Sequence, residues 1–243
     1  MKKHLFILAS VIIGFTVVRA GAQPAQPPRP SLDGAISKLF GDNAAFSANV
    51  EFHSIRSSGN EIIMTGKVAY TVDKSRFDMD MSKTQGGHIP PEAVARMRQM
   101  GMSKMTSISF RDKKRCYIMY PDMKGYVEIA TRETNAAPSE YKAEVTKLGG
   151  ETIDGHDCIK NKVVVTGPDG VAHESTVWNA TDLKQFPVKI QTDSEQGMVM
   201  VMLFKDVKLD KPEAAQFDLP ADFTKYDDIM SLMMSRARGA PPQ

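Results

Sequence analysis

From Phe46 onward the chain alternates. Phe46, Ala48, Val50 and Phe52 interleave with Ser47, Asn49, Glu51 and His53. After a turn at Ser57-Ser58-Gly59-Asn60, the residues Ile62, Met64, Val68, Tyr70 and Val72 carry the pattern on. Phe77, Met79 and Met81 then alternate with Asp78 and Asp80. A period of two predicts half-buried antiparallel strands, with one face on apolar material and the other on water. Further strands are expected at 106–110, 115–120, 125–129, 158–166, 172–179, 186–192 and 198–209. The run Gly167-Pro168-Asp169-Gly170 marks a hairpin between two of them. Residues 198–204 are apolar at every position, so both faces of that strand are covered or line a cavity.

Helical spacing interrupts the strands in four places. Leu32, Ile36, Leu39 and Phe40 share a face behind a Ser31 cap, and Gly41 ends that helix. Pro90-Pro91-Glu92 opens a second helix, which runs to Gln99 and stops by Gly101. Tyr141, Val145 and Leu148 recur at helical spacing between Ser139 and Gly149, so a third helix is expected there. A fourth is expected at 225–238, with Ile229, Met230, Met233 and Met234 on its apolar side. About ten antiparallel strands with a few helices, and no βαβ alternation, define a mainly antiparallel β (α+β) fold. The pattern suits one large curved sheet, an incomplete barrel with helices on its concave face.

The N-terminus reads as a targeting segment rather than as fold. Lys2 and Lys3 precede a short apolar run, Leu5 to Val18, and Ala20-Gly21-Ala22 supplies small residues for cleavage. Residues 1–22 are therefore expected to be a cleaved signal peptide, which makes the protein periplasmic. No cysteine follows the site, so a lipid anchor is not expected. Residues 23–30 form a proline-rich tether. Residues 31–238 form a single domain, and 239–243 a disordered tail. The chain carries 31 basic and 29 acidic residues, and removing the signal leaves 28 against 29. That balance gives no electrostatic footprint for nucleic acid. Cys116 and Cys158 permit one disulfide in an oxidising compartment, and two buried thiols are the alternative.

Catalytic motifs are missing: no Gly-x-Ser-x-Gly elbow, no His-Glu-x-x-His and no phosphate-binding glycine loop occurs. His53, His88, His156 and His173 stand at no metal-ligand spacing. The pair Asp78 and Asp80 reads as a solvated strand face. An enzyme is not expected, and neither is a cofactor. Methionine is the anomaly, with sixteen in 243 residues. Its unbranched, polarisable side chain suits surfaces that adapt to varied apolar partners, although an ordinary methionine-rich core shows the same pattern. A further reading is copper, since Met97, Met100, Met102 and Met105 lie close together beside His88, and thioethers select Cu(I).

One run has a more particular character. Leu148-Gly149-Gly150-Glu151-Thr152-Ile153-Asp154-Gly155-His156-Asp157-Cys158 leads through a hairpin to Trp178. Phe186-Pro187-Val188-Lys189-Ile190 and an apolar strand follow, and Phe217-Asp218-Leu219-Pro220-Ala221-Asp222-Phe223 closes the run. This order resembles the periplasmic lipoprotein-carrier superfamily of LolA, LolB and RseB type, and within it a branch of unknown function. The resemblance implies a half-barrel closed by a helical lid and a non-enzymatic carrier or sensor of an apolar or lipidated ligand. The candidate lid is 89–105. Candidate cavity residues are Met64, Met79, Met81, Met97, Met100, Met200, Met202 and Phe204. A lid-closing arginine of LolA type has no clear counterpart here, although Arg96 and Arg98 lie in the lid segment. The alternative is a cell-envelope interaction module with a filled core, which would dock a protein partner through the helix at 225–238.

Overall fold

The structure is a computed structural model that describes residues 34–87, 90–130, 137–193 and 197–237. The expected signal peptide, tether and tail, together with His88 and Ile89, lie outside the described residues. In chain order the elements are α1 (Gly34–Leu39), β1 (Ala45–Arg56), β2 (Glu61–Thr71), β3 (Lys74–Asp80), β4 (Gln85–Gly86), α2 (Pro91–Gln99), β5 (Lys104–Phe110), β6 (Arg115–Tyr120) and β7 (Gly125–Ala130). They continue with β8 (Lys142–Ile153), β9 (His156–Thr166), β10 (Ala172–Ala180), β11 (Phe186–Asp193), β12 (Met198–Lys208), β13 (Thr224–Tyr226) and α3 (Ile229–Ala237).

All the strands join one sheet in the order β13-β7-β6-β5-β3-β2-β1-β12-β11-β10-β9-β8, with β4 added beside β2. Every pairing is antiparallel except that of β13 with β7, which is parallel. The α+β class and the incomplete barrel expected from the alternation are what the sheet shows: β13 and β8 are its ends and do not meet.

Alternation assigns each side chain to a face, and burial tells the faces apart. On the inner face, Phe46, Val50 and Phe52 of β1 stand beside Tyr70, Gly66 and Met64 of β2. Val50 and Phe52 stand beside Phe204 and Met202 of β12 on the other side. The aromatic centre is dense. Phe40, just after α1, lies 4.6 Å from Phe46, and Phe46 lies 4.8 Å from Phe186. Phe186 lies 5.6 Å from Phe204. Tilted and edge-on aromatic pairs of this kind add about 0.5–1.5 kcal/mol each beyond area burial. α3 packs further along the same face, where Leu232 is fully buried against Ile118, Tyr120 and Val127.

Over β5–β7 the outer face is buried and apolar too. There Ala69, Ile108, Phe110 and Met119 meet Phe217, with Leu219 and Phe223 packed against them. The Phe-x-Leu-Pro run of the sequence is therefore the outer cover of this part of the sheet.

Two expectations change. The expected helix at 139–148 is only a 3₁₀ turn at Pro138–Glu140: β8 occupies 142–153 and pairs with β9 along its length. Asp154 and Gly155 both take positive φ, 49° and 85°, and form the two-residue turn that right-handed strand twist favours. That turn requires a strand on both sides. The helical spacing of Tyr141, Val145 and Leu148 is a coincidence, because Tyr141 is buried while Val145 and Leu148 are exposed. The expected helix at 225–238 is shorter. Its first residues form β13, and the helix begins at Ile229, where the Asp228 carboxylate accepts a bond from the Ser231 amide at 2.6 Å.

The cysteines are not bridged. Cys116 lies on β6 and Cys158 on β9, eight places apart in the strand order, so their Cα atoms are far beyond bridging reach. Cys158 is a buried thiol pushed up in pKa by that burial, and its Sγ donates to the His156 carbonyl at 3.3 Å.

Candidate functional site

The cavity residues expected from the sequence divide into two groups. Met79, Met202 and Phe204 belong to the packed inner core. Met64, Met81 and Met200 are only half-buried. The division follows the register. The row Met64–Phe52–Met202 spans β2, β1 and β12 at the edge of the core. The next row, Ile62–Ser54–Met200, lies one pleat further out and is half-exposed throughout. Met198 lies beyond it and accepts a weak hydrogen bond from the Ser54 hydroxyl at 3.2 Å.

The outer side of this tip mixes apolar residues with the hydrogen-bonded pair His53 and Glu61. Ile55, Ile63, Val199 and Val201 are half-exposed there. The run 198–201 is thus apolar on both faces and half-exposed on both.

α2 is poorly anchored. None of its residues is buried, and Val94, Met97 and the capping Met100 are its half-buried ones. It packs beside the 3₁₀ turn Met81–Lys83, so Met81 lies under the segment that carries Met97 and Met100. Arg96 and Arg98 are exposed on it. The four methionines of the copper reading fall into two settings. Met102 and Met105 pack against the cluster beneath α3, while Met97 and Met100 stay on α2 and its cap. Among the described residues no group of three or more His, Cys, Asp or Glu is placed to hold a metal.

A second site lies on the outer face of β1, β2, β3 and β5, and sequence reasoning missed it. It is an open groove of about 470 Å³. Glu51, Lys67, Arg76, Asp78, Asp80, Lys104 and Lys205 line it, and Lys83 reaches it from the 3₁₀ turn. The Arg76 guanidinium clamps Asp78 through two bonds of 2.8 Å, and the Thr106 hydroxyl donates to the same carboxylate at 2.6 Å. Lys205 donates to Glu51 at 2.9 Å, and His53 lies between Glu51 and Glu61. Partial burial alone would raise the Glu51 carboxyl, but the bond and charge of Lys205, aided by His53, outweigh it and hold the group below its ordinary range. Asp80 behaves likewise. Burial opposes ionisation there, and the Ser82 hydroxyl and amide, with Lys83 and Lys104 nearby, more than offset it.

The strand parity of Lys67, Arg76, Asp78 and Asp80 was legible as one face. Their meeting with Glu51 and Lys205 was not, because it depends on β1 pairing with β12 across more than 140 residues.

Several solved structures are similar to this chain at low identity. A LolA superfamily protein from Nitrosomonas europaea is similar at a TM-score of 0.42 and 12% identity, over 76% of this chain and 94% of that one. An uncharacterized conserved protein from Thermus thermophilus is similar at 0.44 and 12%, over 81% and 96%. MucB, in its complex with MucA(peri), is similar at 0.39 and 13%, over 77% of this chain and 59% of that one. No curated protein matches the chain. The chain belongs to the family described as Domain of unknown function (DUF4412), whose model matches residues 60–185. That span takes in Met64, Met81, α2 and most of the groove, and leaves out Glu51, Met200 and Lys205.

Proposed function

We propose that this protein is a non-enzymatic, exported binder of an apolar or lipidated ligand, and that the ligand seats at the methionine-rich tip of β1, β2 and β12. One observation carries the reading: residues 198–201 are apolar on both faces of the sheet and half-exposed on both. A strand apolar on both sides is ordinarily covered on both sides. Met64, Met81 and Met200 offer flexible thioethers at that margin, and α2 lies beside Met81 as the movable element. Contact with an acyl chain there would contribute about 0.8 kcal/mol per buried CH₂, with no catalytic group needed. The core methionines Met79 and Met202 support the tip from beneath and do not line it.

The test is uptake of a fluorescent fatty-acyl probe. Met64→Asp with Met200→Asp should abolish it while the circular dichroism of the sheet is retained. Met97→Asp with Met100→Asp should weaken it if α2 closes over the ligand. Full uptake by the Met64/Met200 variant would refute the tip as the seat.

A second reading rests on α3. Met230 and Met234 are 59% and 52% exposed one helical turn apart, while Leu232 is fully buried. Such a helix is held by Leu232 and Ile229 and leaves Met230 and Met234 outward, which fits docking of an envelope protein. Met230→Lys with Met234→Lys should then abolish partner capture and leave acyl-probe uptake unchanged. Capture that survives both changes would end this reading.

A further inference from the structure

The groove on the outer face is separate from the apolar tip and makes its own demand on a ligand. Its three carboxylates are already engaged: Glu51 by Lys205, Asp78 by Arg76 and Thr106, and Asp80 by the Ser82 amide and hydroxyl. Its cations are not all used. The Lys67 and Lys83 side chains donate to no described residue, although Lys83 lies near enough to Asp80 to favour its charge, and both are exposed. Lys104 reaches only Asp122, at 3.4 Å, and stays half in solvent. Five cations against the three lining carboxylates, with Asp122 meeting Lys104 from beside the groove, leave a surplus of one. A groove of about 470 Å³ is the size of an organic ligand's seat rather than that of a lone ion.

We infer that this groove binds the phosphoryl group of an organic phosphate, with Lys67, Lys83 and Lys104 as the donors that meet it. A phosphoryl group carries one to two negative charges, the first of which the surplus matches, and its oxygens accept from several ammonium groups at once. Arg76 and Lys205 take the supporting part. By holding Asp78 and Glu51, they keep those carboxylates from repelling the anion. The geometry asks for ammonium groups that swing in from separate strands and a turn, which long lysine side chains provide.

Isothermal titration with glycerol 3-phosphate, inorganic phosphate and succinate, and sedimentation with phosphatidylglycerol vesicles, test the assignment. A phosphoryl probe should bind and succinate should not. K67A and K83A should each weaken binding about tenfold, whereas K162A, on the distant β9, should leave it unchanged. Binding of inorganic phosphate as tight as that of the ester makes free phosphate the source, and binding to vesicles alone makes it a lipid headgroup. The inference is overturned if no phosphoryl probe binds at about 1 mM, if K67A and K83A bind like the parent protein, or if succinate binds equally well. Acyl-probe uptake is read in the same variants. It should not change, so failure of the groove and failure of the tip are told apart.

Discussion

The strands β5–β7 and the tip of β1, β2 and β12 belong to one sheet and are treated in opposite ways. β5–β7 are sealed on both faces, by Leu232 of α3 on the inside and by Phe217, Leu219 and Phe223 on the outside. At the tip, residues 198–201 are apolar on both faces and only partly buried on both among the described residues. Residues of similar hydrophobicity are therefore core in one region and surface in the other. What decides is whether the C-terminal chain passes over them. It passes over β5–β7 twice, through residues 214–223 and then α3. An apolar region that the chain leaves open is where a molecule from outside gains most from binding.

The largest test of this contrast is truncation. Ile108→Ala or Leu232→Ala should each cost about 2–5 kcal/mol in urea unfolding, because the cavity they leave is walled on all sides. Met200→Ala or Val201→Ala should cost less, about 1–2 kcal/mol, since those side chains are only partly buried and the space they leave opens to water. Equal losses in the two regions would erase the distinction.

A middle-sized effect is expected at Gly66, where β2 and β3 approach closely. A Cβ there would stand 2.5 Å from the Asp78 carbonyl oxygen, and β3 would have to move. Gly66→Ala should cost about 1–3 kcal/mol and disturb the groove more than the tip. Unchanged thermal stability would show that the strand spacing is not tight.

The smallest effect is electrostatic. Glu51 titrates below its ordinary 4.5 in the folded protein, so its pairing adds stability above about pH 4.5 and loses it as the pH falls through the lowered value. Lys205→Met should flatten the acid limb of the melting-temperature profile below that pH and leave the apolar tip untouched. A limb as steep as the parent's would mean that the pair contributes nothing, as many exposed pairs do.

Much of the fold was legible. The alternation along β1, β2, β3 and β12 named their faces, and Pro91 and Gly101 bounded α2. The error at 139–148 shows where spacing fails. Asp154-Gly155 already announced a hairpin, and the chain entering a hairpin must be extended however its apolar residues are spaced. Of the candidate cavity, periodicity put Met200 and Met202 on one face of their strand, and only the pairing of the strands brings Met64 and Met79 to the same face. Periodicity could not separate core from margin, because Met200 and Met202 differ by only one pleat and share a parity.

By itself the sequence determined the antiparallel class and which residues of most strands share a face, since these follow from local alternation and turn chemistry. Only the tertiary structure decided that Met202 is filled core and Met200 open margin, that the cysteines stand eight strands apart, and that Lys67, Lys83 and Lys104 share a groove with Glu51 and Lys205. Each of these depends on which distant strands pair and on where the last helix lies. No stretch of sequence encodes that locally, because it is set by the sum of contacts over the whole sheet.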